Sequence, residues 1–193
     1  MSTAKKKTTQ PKKLLKSQME EVPLKRAVFI DYDLISANEN IGETVLRLRN
    51  AGLLVIATWN IQQGSNVKNE VAASEEGEAW KTSLTDQSKI GFFDGAFFCP
   101  HNYDQHQGED EKRCRCHKPM AGQFQQARVA LHIDLGRSFV ISASMNDVVG
   151  AFAVDAKSIA IKDPSGVYDQ AKNHSVVPDF QAAVKRIIRL VKS

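Results

Sequence analysis

The chain has 193 residues, of which 42% are hydrophobic, and a formal net charge of +4 at pH 7. This length is sufficient for one sizeable hydrophobic core but short for two full domains. No run of 18 apolar residues occurs, and no apolar segment follows the N-terminal lysines, which argues against a membrane span and a secretory signal. We therefore expect a single cytoplasmic domain that is monomeric and has no membrane partner.

The positive charge is concentrated at the N-terminus. The first 16 residues hold six lysines and no acidic residue, so the rest of the chain is slightly acidic. A segment rich in Lys, Thr, Gln and Pro has little apolar area to bury, which predicts a disordered basic tail over residues 1–22 and a domain over 23–193. Weak attraction to RNA or to a membrane surface is the alternative for the tail. Because a charge run is more often only solvated, we do not expect nucleic acid as a partner.

Short apolar runs alternate along the chain with segments of helical periodicity. The pattern predicts strands at 27–30, 53–58, 96–98, 138–143 and 159–161, helices at 41–50, 123–133, 147–154 and from 179 onward, and a loop with a helix over 60–90. Continuous apolar strands are buried on both faces, which predicts a parallel sheet covered by helices on both sides. In such sheets, ligands bind beyond the carboxyl ends of the strands, where Asp31, Thr58, Cys99 and Ala143 lie.

Two predicted helices carry more specific local signals. Asn40 and Glu43 have the spacing of a capping box at the start of the helix 41–50. In the helix 123–133, the apolar periodicity predicts that Val129 faces the core.

All three cysteines lie between positions 99 and 116. An odd number in so short a stretch argues for metal binding by thiolates in a reducing compartment and against a disulfide framework. Cys99 pairs with His101, and Cys114 with Cys116 after twelve further residues, a pattern that can wrap one tetrahedral zinc ion. Three thiolates and one imidazole leave no open coordination position, so the predicted Zn²⁺ is structural. The alternative is a set of buried cysteines without a metal.

Two acidic residues follow the first predicted strand. Asp31 and Asp33 alternate along the chain, and alternate side chains of an extended strand point the same way. This predicts that the two carboxyl groups converge on a cation and a substrate. The alternative is a capping pair at a turn.

The chain carries four motifs in order, namely Phe29-Ile30-Asp31-Tyr32-Asp33, Thr58, the cysteine loop 99–116 and His117-Lys118-Pro119. Their order resembles that of the zinc-containing phosphatases of the haloacid dehalogenase (HAD) superfamily, over about residues 28–161. Within that superfamily, the long spacing of the cysteine loop is similar to that of the heptose 1,7-bisphosphate phosphatases, since the histidinol-phosphate phosphatases have a shorter one. The resemblance implies a HAD-like Rossmannoid α/β fold.

The resemblance also implies a Mg²⁺-dependent phosphatase that acts on a small phosphorylated sugar. Asp31 would be the nucleophile that forms an aspartyl-phosphate, and Asp33 the acid that protonates the leaving oxygen and then activates water. Thr58 would donate a hydrogen bond to the transferring phosphoryl group. Lys118 would neutralise the charge of that group and restrain Asp31.

The same resemblance implies binding roles for further residues. Asn60 and His117 would contact the substrate. Mg²⁺ would lie between Asp31 and the phosphate, with Asp33 and Asp147 as further ligands.

Three positions differ from the family pattern. Leu34 replaces the usual Gly after the second aspartate, and Thr58-Trp59-Asn60 replaces Thr-Asn-Gln. Ser142-Ala143 replaces Gly-Asp, where the family's aspartate supplies a Mg²⁺ ligand. Asp147 matches the family's second acidic position, although a helix cap is its alternative role. A HAD pseudoenzyme, retained as a zinc-stabilised binding or structural module, is therefore the alternative to an active phosphatase.

Overall fold

One six-stranded sheet organises the residues that the computed structural model describes, which are 23–60, 92–99, 114–162 and 173–193. Its strands are β1 (Ala27–Asp31), β2 (Leu54–Asn60), β3 (Gly95–Cys99), β4 (Phe139–Ser142), β5 (Lys157–Ile161) and β6 (His174–Val177). The strand order is β3-β2-β1-β4-β5-β6, and every neighbouring pair is parallel. The predicted parallel α/β sheet is confirmed.

Helices cover both faces of this sheet. They are α1 (Tyr32–Ser36), α2 (Ile41–Asn50), α3 (Gly122–Leu131), α4 (Met145–Phe152) and α5 (Phe180–Lys192), with a short 3-10 helix at Leu135–Arg137. No described helix has the length and apolar character needed to cross a bilayer.

The central strand β1 supplies side chains to two separate cores. Val28 and Ile30 join the cluster under α2 and α5, whereas Ala27 and Phe29 join the cluster under α3. This division follows from the two-residue period of a strand, which sends successive side chains to opposite faces. Phe29 packs edge-on against Phe124 of α3, with ring centroids 4.9 Å apart. Full burial of a side chain of this size stabilises the fold by about 1.5–3 kcal/mol.

The chain turns into helix α1 directly after β1. Asp31 keeps an extended backbone as the N-cap, and Asp33 already lies in the first helical turn. The turn brings Ile35 into the core, where it is fully buried, and packs Leu34 against the same cluster. The expectation that Asp33 continues the extended strand is therefore wrong, because burying these two apolar residues requires the chain to bend.

Two local predictions about helices are also wrong. Asn40 is the N-cap of α2, but its side chain makes no capping hydrogen bond. Val129 is 77% exposed, because α3 buries Gln123, Phe124 and Ala127 and the opposite side of the helix faces solvent.

The edge strand β6 does not appear among the sequence predictions. It has only four residues, and all of them keep some exposure, so its apolar signal is weak. Residues 1–22, 61–91 and 100–113 lie outside the described residues. The predicted tail, the predicted helix before residue 90 and the predicted zinc ligand His101 fall on them and stay predictions.

Candidate active site

Three neighbouring strands end at one edge of the sheet and bring polar side chains together. Asp31 ends β1 and lies opposite Thr58 in the register with β2. On the other side of β1, Ile30 pairs with Ile141 of β4, so that Ser142 follows at the same edge. This edge is where a parallel sheet with helices on both faces places its ligand sites.

Lys118 supplies the positive charge of this edge. Its side chain is only 7% exposed, and its Nζ donates hydrogen bonds to Asp31 Oδ1 at 3.1 Å and to the Thr58 carbonyl oxygen at 3.3 Å. The same Nζ lies 2.8 Å from Asp147 Oδ1. The ammonium thus lies among three oxygens, two of which accept hydrogen bonds from it while the third forms an ion pair with it.

Asp147 is the most deeply buried carboxylate of the site. It lies in the first turn of α4, is 1% exposed and accepts a hydrogen bond from Ser142 Oγ at 2.7 Å. Burial raises its pKa to about 6, against the lowering effect of the Lys118 ammonium. Ser144 is the residue whose side chain caps α4, so the alternative role of Asp147 as a helix cap is wrong.

Ser142 is a site residue that the motif reasoning did not assign. Its hydroxyl accepts from the Ser144 amide at 2.9 Å and lies 2.7 Å from Asp147 Oδ2 and 3.5 Å from Asp31 Oδ2. The feature of the sequence that could have identified Ser142 is its position at the end of a buried strand. The next residue, Ala143, is exposed and brings no carboxylate to this edge.

The other predicted site residues have different surroundings. Thr58 is 1% exposed, and its hydroxyl has no hydrogen-bond partner among the described residues. Asn60 Oδ1 accepts a hydrogen bond from the Lys118 backbone amide at 3.0 Å, so the Asn60 side chain helps to fix the backbone position of Lys118. His117 is partly buried beside Lys118, and Asp33 is exposed. The predicted chemical roles of these residues stay predictions.

The three cysteines converge, and we call Cys99, Cys114 and Cys116 the thiol cluster. Their sulfur atoms all lie within 4.8 Å of one another, with Sγ–Sγ distances of 3.5 Å for Cys99–Cys114 and 2.9 Å for Cys114–Cys116. Thiolates on a tetrahedral zinc ion, with bonds of about 2.3 Å, are about 3.8 Å apart. The observed sulfur atoms lie closer together than this, so the fold brings three candidate zinc ligands to one point, from which the sulfurs would have to separate slightly to hold an ion. The fourth predicted ligand, His101, lies outside the described residues.

The thiol cluster is chemically suited to a cation. Burial, together with the hydrogen bond to Cys116, raises the pKa of the Cys114 thiol. A bound cation would offset the charge of the buried thiolates and so favour their formation.

No protein-family profile matches the chain, but individual proteins resemble it in sequence. The D-glycero-beta-D-manno-heptose-1,7-bisphosphate 7-phosphatase of Haemophilus ducreyi is 30% identical over 123 residues, which is 62% of this chain and 65% of that protein. The enzyme of the same name from Vibrio cholerae is 30% identical over 121 residues, 60% of this chain and 61% of that protein. The chain thus spans less than two thirds of the length of these relatives.

Solved structures with the same fold have lower sequence identity. The D,D-heptose 1,7-bisphosphate phosphatase of B. bronchiseptica, solved with magnesium and phosphate, has a TM-score of 0.58 at 16% identity, with 86% of this chain and 99% of that chain covered. A candidate HAD-like phosphatase from Mesorhizobium loti has a TM-score of 0.61 at 16% identity, with 88% and 87% covered.

The chain resembles heptose-1,7-bisphosphate 7-phosphatases in sequence and a HAD-like phosphatase in fold. The resemblance noted in the sequence motifs is confirmed, and the parallel sheet is the HAD-like fold.

The HAD resemblance implies Mg²⁺, and the carboxylates of the site fit it unequally. Mg²⁺ takes one or two carboxylates, substrate phosphate oxygens and water. Asp31 fits, because its side chain is 13% exposed and, among the described residues, its Oδ2 has only the long contact to the Ser142 hydroxyl. Asp147 Oδ2 accepts from Ser142, and its Oδ1 lies 2.8 Å from the Lys118 ammonium without a hydrogen-bond partner among the described residues, so its predicted role as a Mg²⁺ ligand stays a prediction.

Proposed function

We propose that this protein is a phosphomonoesterase that hydrolyses a sugar phosphate, of the heptose bisphosphate type, through an aspartyl-phosphate on Asp31. The observation that supports this proposal is the placement of the Lys118 ammonium between Asp31 and Asp147, beside Thr58. The matching relatives are phosphatases of this substrate class.

The contacts of Asp31 suit a nucleophile. Lys118 binds Oδ1 at 3.1 Å, which orients the carboxylate and leaves Oδ2 to attack phosphorus. A bond forms from Oδ2 to phosphorus as the bond from phosphorus to the sugar oxygen breaks. Asp33 gives its proton to that leaving oxygen. Asp33 then takes a proton from the water that attacks the aspartyl-phosphate, which releases phosphate and restores the Asp31 carboxylate.

Lys118 and Thr58 would stabilise the charge on the transferring phosphoryl group. Lys118 is a preorganised cation, because Asp147 and the Thr58 carbonyl hold its ammonium in place before substrate arrives. The buried Thr58 hydroxyl is available to donate to a phosphate oxygen. Asp31 and Asp33 would hold Mg²⁺, which when bound would withdraw charge from the phosphoryl group.

The test is phosphate release from a panel of sugar phosphates that includes heptose 1,7-bisphosphate, with Mg²⁺ present. Asp31→Asn should abolish release to the level of background, since an amide is not a nucleophile. Asp155→Asn is the matched control, because Asp155 is exposed after α4, and this variant should keep full activity. Equal release by the wild type and Asp31→Asn would refute the proposal.

A phosphate-binding pseudoenzyme is the second candidate. It is favoured by the exposed Ala143 at the strand end and by the enclosed Asp147, which together leave few carboxylates for a catalytic cation. This candidate predicts that inorganic phosphate binds in a titration calorimeter while no substrate of the panel is hydrolysed. Loss of that binding in Lys118→Met would locate the phosphate at the site.

The thiol cluster completes the proposal as a structural Zn²⁺ site with His101 as fourth ligand. The support is the convergence of three sulfur atoms within 4.8 Å. Four protein ligands would close the coordination sphere, so this ion would take no part in the reaction. Its function would be to hold the turn that ends at Lys118.

A further inference from the structure

Gln123 connects the thiol cluster to the site through two hydrogen bonds. It lies at the start of α3 and is 1% exposed. Its Nε2 donates to the Cys116 carbonyl oxygen at 2.9 Å and to Asn60 Oδ1 at 3.0 Å. Both amide hydrogens are therefore used, one toward a member of the thiol cluster and one toward β2.

Asn60 is the second half of this connection. Its Oδ1, which accepts from Gln123, also accepts from the backbone amide of Lys118 at 3.0 Å. Asn60 lies opposite Cys99 in the register of β2 with β3, so it is adjacent to the thiol cluster from that side as well. The position of the Lys118 backbone thus depends on an amide pair that is bonded to the cysteine turn.

The start of α3 is held tightly against that turn. The Gly122 amide donates to the Arg115 carbonyl oxygen at 2.9 Å, and a Cβ added at Gly122 would lie 2.1 Å from the same oxygen. A shift of the cysteine turn is therefore passed to α3 and to Gln123, because the close packing leaves no space to absorb it.

From these contacts we infer that Gln123 is a positioning residue that couples metal occupancy of the thiol cluster to the placement of Lys118. The inference rests on the zinc binding proposed above and concerns the regulation of the proposed phosphatase site. With zinc bound, the Cys116 carbonyl holds Gln123, Gln123 holds Asn60, and Asn60 holds the Lys118 amide. Without zinc, the turn loosens and the Lys118 amide loses protection.

Hydrogen exchange of the Lys118 amide, measured by NMR, tests this coupling. In the wild type, removal of zinc with a chelator should speed exchange about five- to tenfold, the effect of losing one hydrogen bond. The amide of Ile141 in the core of β4 is the internal reference for global unfolding. A purely structural role of Gln123 would not make Lys118 exchange depend on zinc.

The variant Gln123→Met keeps the length of the side chain and removes both donors. We expect it to retain zinc, to exchange at Lys118 as fast as the zinc-free wild type and to show no further response to chelator. Gln126→Met, an exposed position of the same helix, is the matched control and should behave as the wild type. Gln123→Asn, which is shorter by one methylene, should reproduce Gln123→Met and replaces it if that variant does not fold.

Two results would overturn the inference. The first is that the wild type binds no zinc, or that the exchange rate of its Lys118 amide does not change when zinc is removed. The second is an equal zinc response in the wild type and in the Gln123 variants. A phosphate-release assay distinguishes failure of this inference from failure of the proposed function. A protein that hydrolyses no sugar phosphate but whose Lys118 amide exchange depends on zinc would disprove only the phosphatase activity.

Discussion

Lys118 Nζ lies 2.8 Å from Asp147 Oδ1, and the two side chains are 7% and 1% exposed. A buried ion pair of this kind adds little net stability compared with apolar residues, but removal of one partner leaves a buried charge without compensation. The pair therefore fixes the geometry of the site more than it stabilises the fold.

Lys118→Met should destabilise the protein by about 3 kcal/mol, because it leaves Asp147 buried without its cation. The measurement is urea unfolding at neutral pH. Asp147→Asn combined with Lys118→Met should recover about 2 kcal/mol of that loss, since the double variant buries no charge at this position. Additive effects of the two substitutions would contradict the pairing. Both variants should lose phosphate release by about a hundredfold or more.

Zinc removal should lower the melting temperature, because the thiol cluster connects β3 to the turn before α3. The wild type should contain about one zinc per chain and Cys114→Ser much less. If zinc removal lowers the free energy of unfolding by about 2 kcal/mol, the melting temperature should fall by about 4–8 °C for a chain of this size. The same chelator should have no effect on Cys114→Ser, and an equal effect on both proteins would argue against the site.

Gly122→Ala should destabilise the protein by more than about 2 kcal/mol, because the added Cβ would lie 2.1 Å from the Arg115 carbonyl oxygen. Neither backbone can move without disturbing the cysteine turn, so the zinc content should fall as well. Gly136→Ala is the control. Its Cβ would have only an ordinary contact at 3.7 Å, so its free energy of unfolding should change by less than about 0.5 kcal/mol.

Asp94 should stabilise the fold in a pH-dependent way at the opposite end of β2. Burial raises the pKa of Asp94, but hydrogen bonds from Arg49 and from the Val55 amide outweigh it, and the pKa lies below the usual 3.8. A lowered pKa means that the stabilisation is complete above the unfolded value and disappears as the pH falls through the folded value. Asp94→Asn should therefore be less stable than the wild type by about 1 kcal/mol above pH 5.

The same comparison at lower pH provides the check on Asp94. The difference in free energy of unfolding between the wild type and Asp94→Asn should shrink as the pH falls below 3.8. A difference that stays constant down to pH 2 would show that the carboxylate charge is not the cause.

Local sequence patterns determined most of the architecture. Strand β1 and helices α2 and α5 follow from apolar periodicity, and Asp179 caps α5 through a hydrogen bond from Ala182 as an N-cap residue does. These signals are readable because they involve residues a few positions apart. The cysteine cluster could be predicted for the same reason, because metal ligands that occur in closely spaced pairs can be recognised from the sequence alone.

The connections around Lys118 were decided only by the tertiary structure. Its ammonium contacts Asp31, 87 positions away, and its amide contacts Asn60, 58 positions away. Gln123 looks in the sequence like any polar residue on the exposed side of a helix, and no neighbouring residue indicates that it is buried. Such residues acquire their function when parallel strands end at one edge, which the order of strands in the sheet sets and a local pattern does not encode.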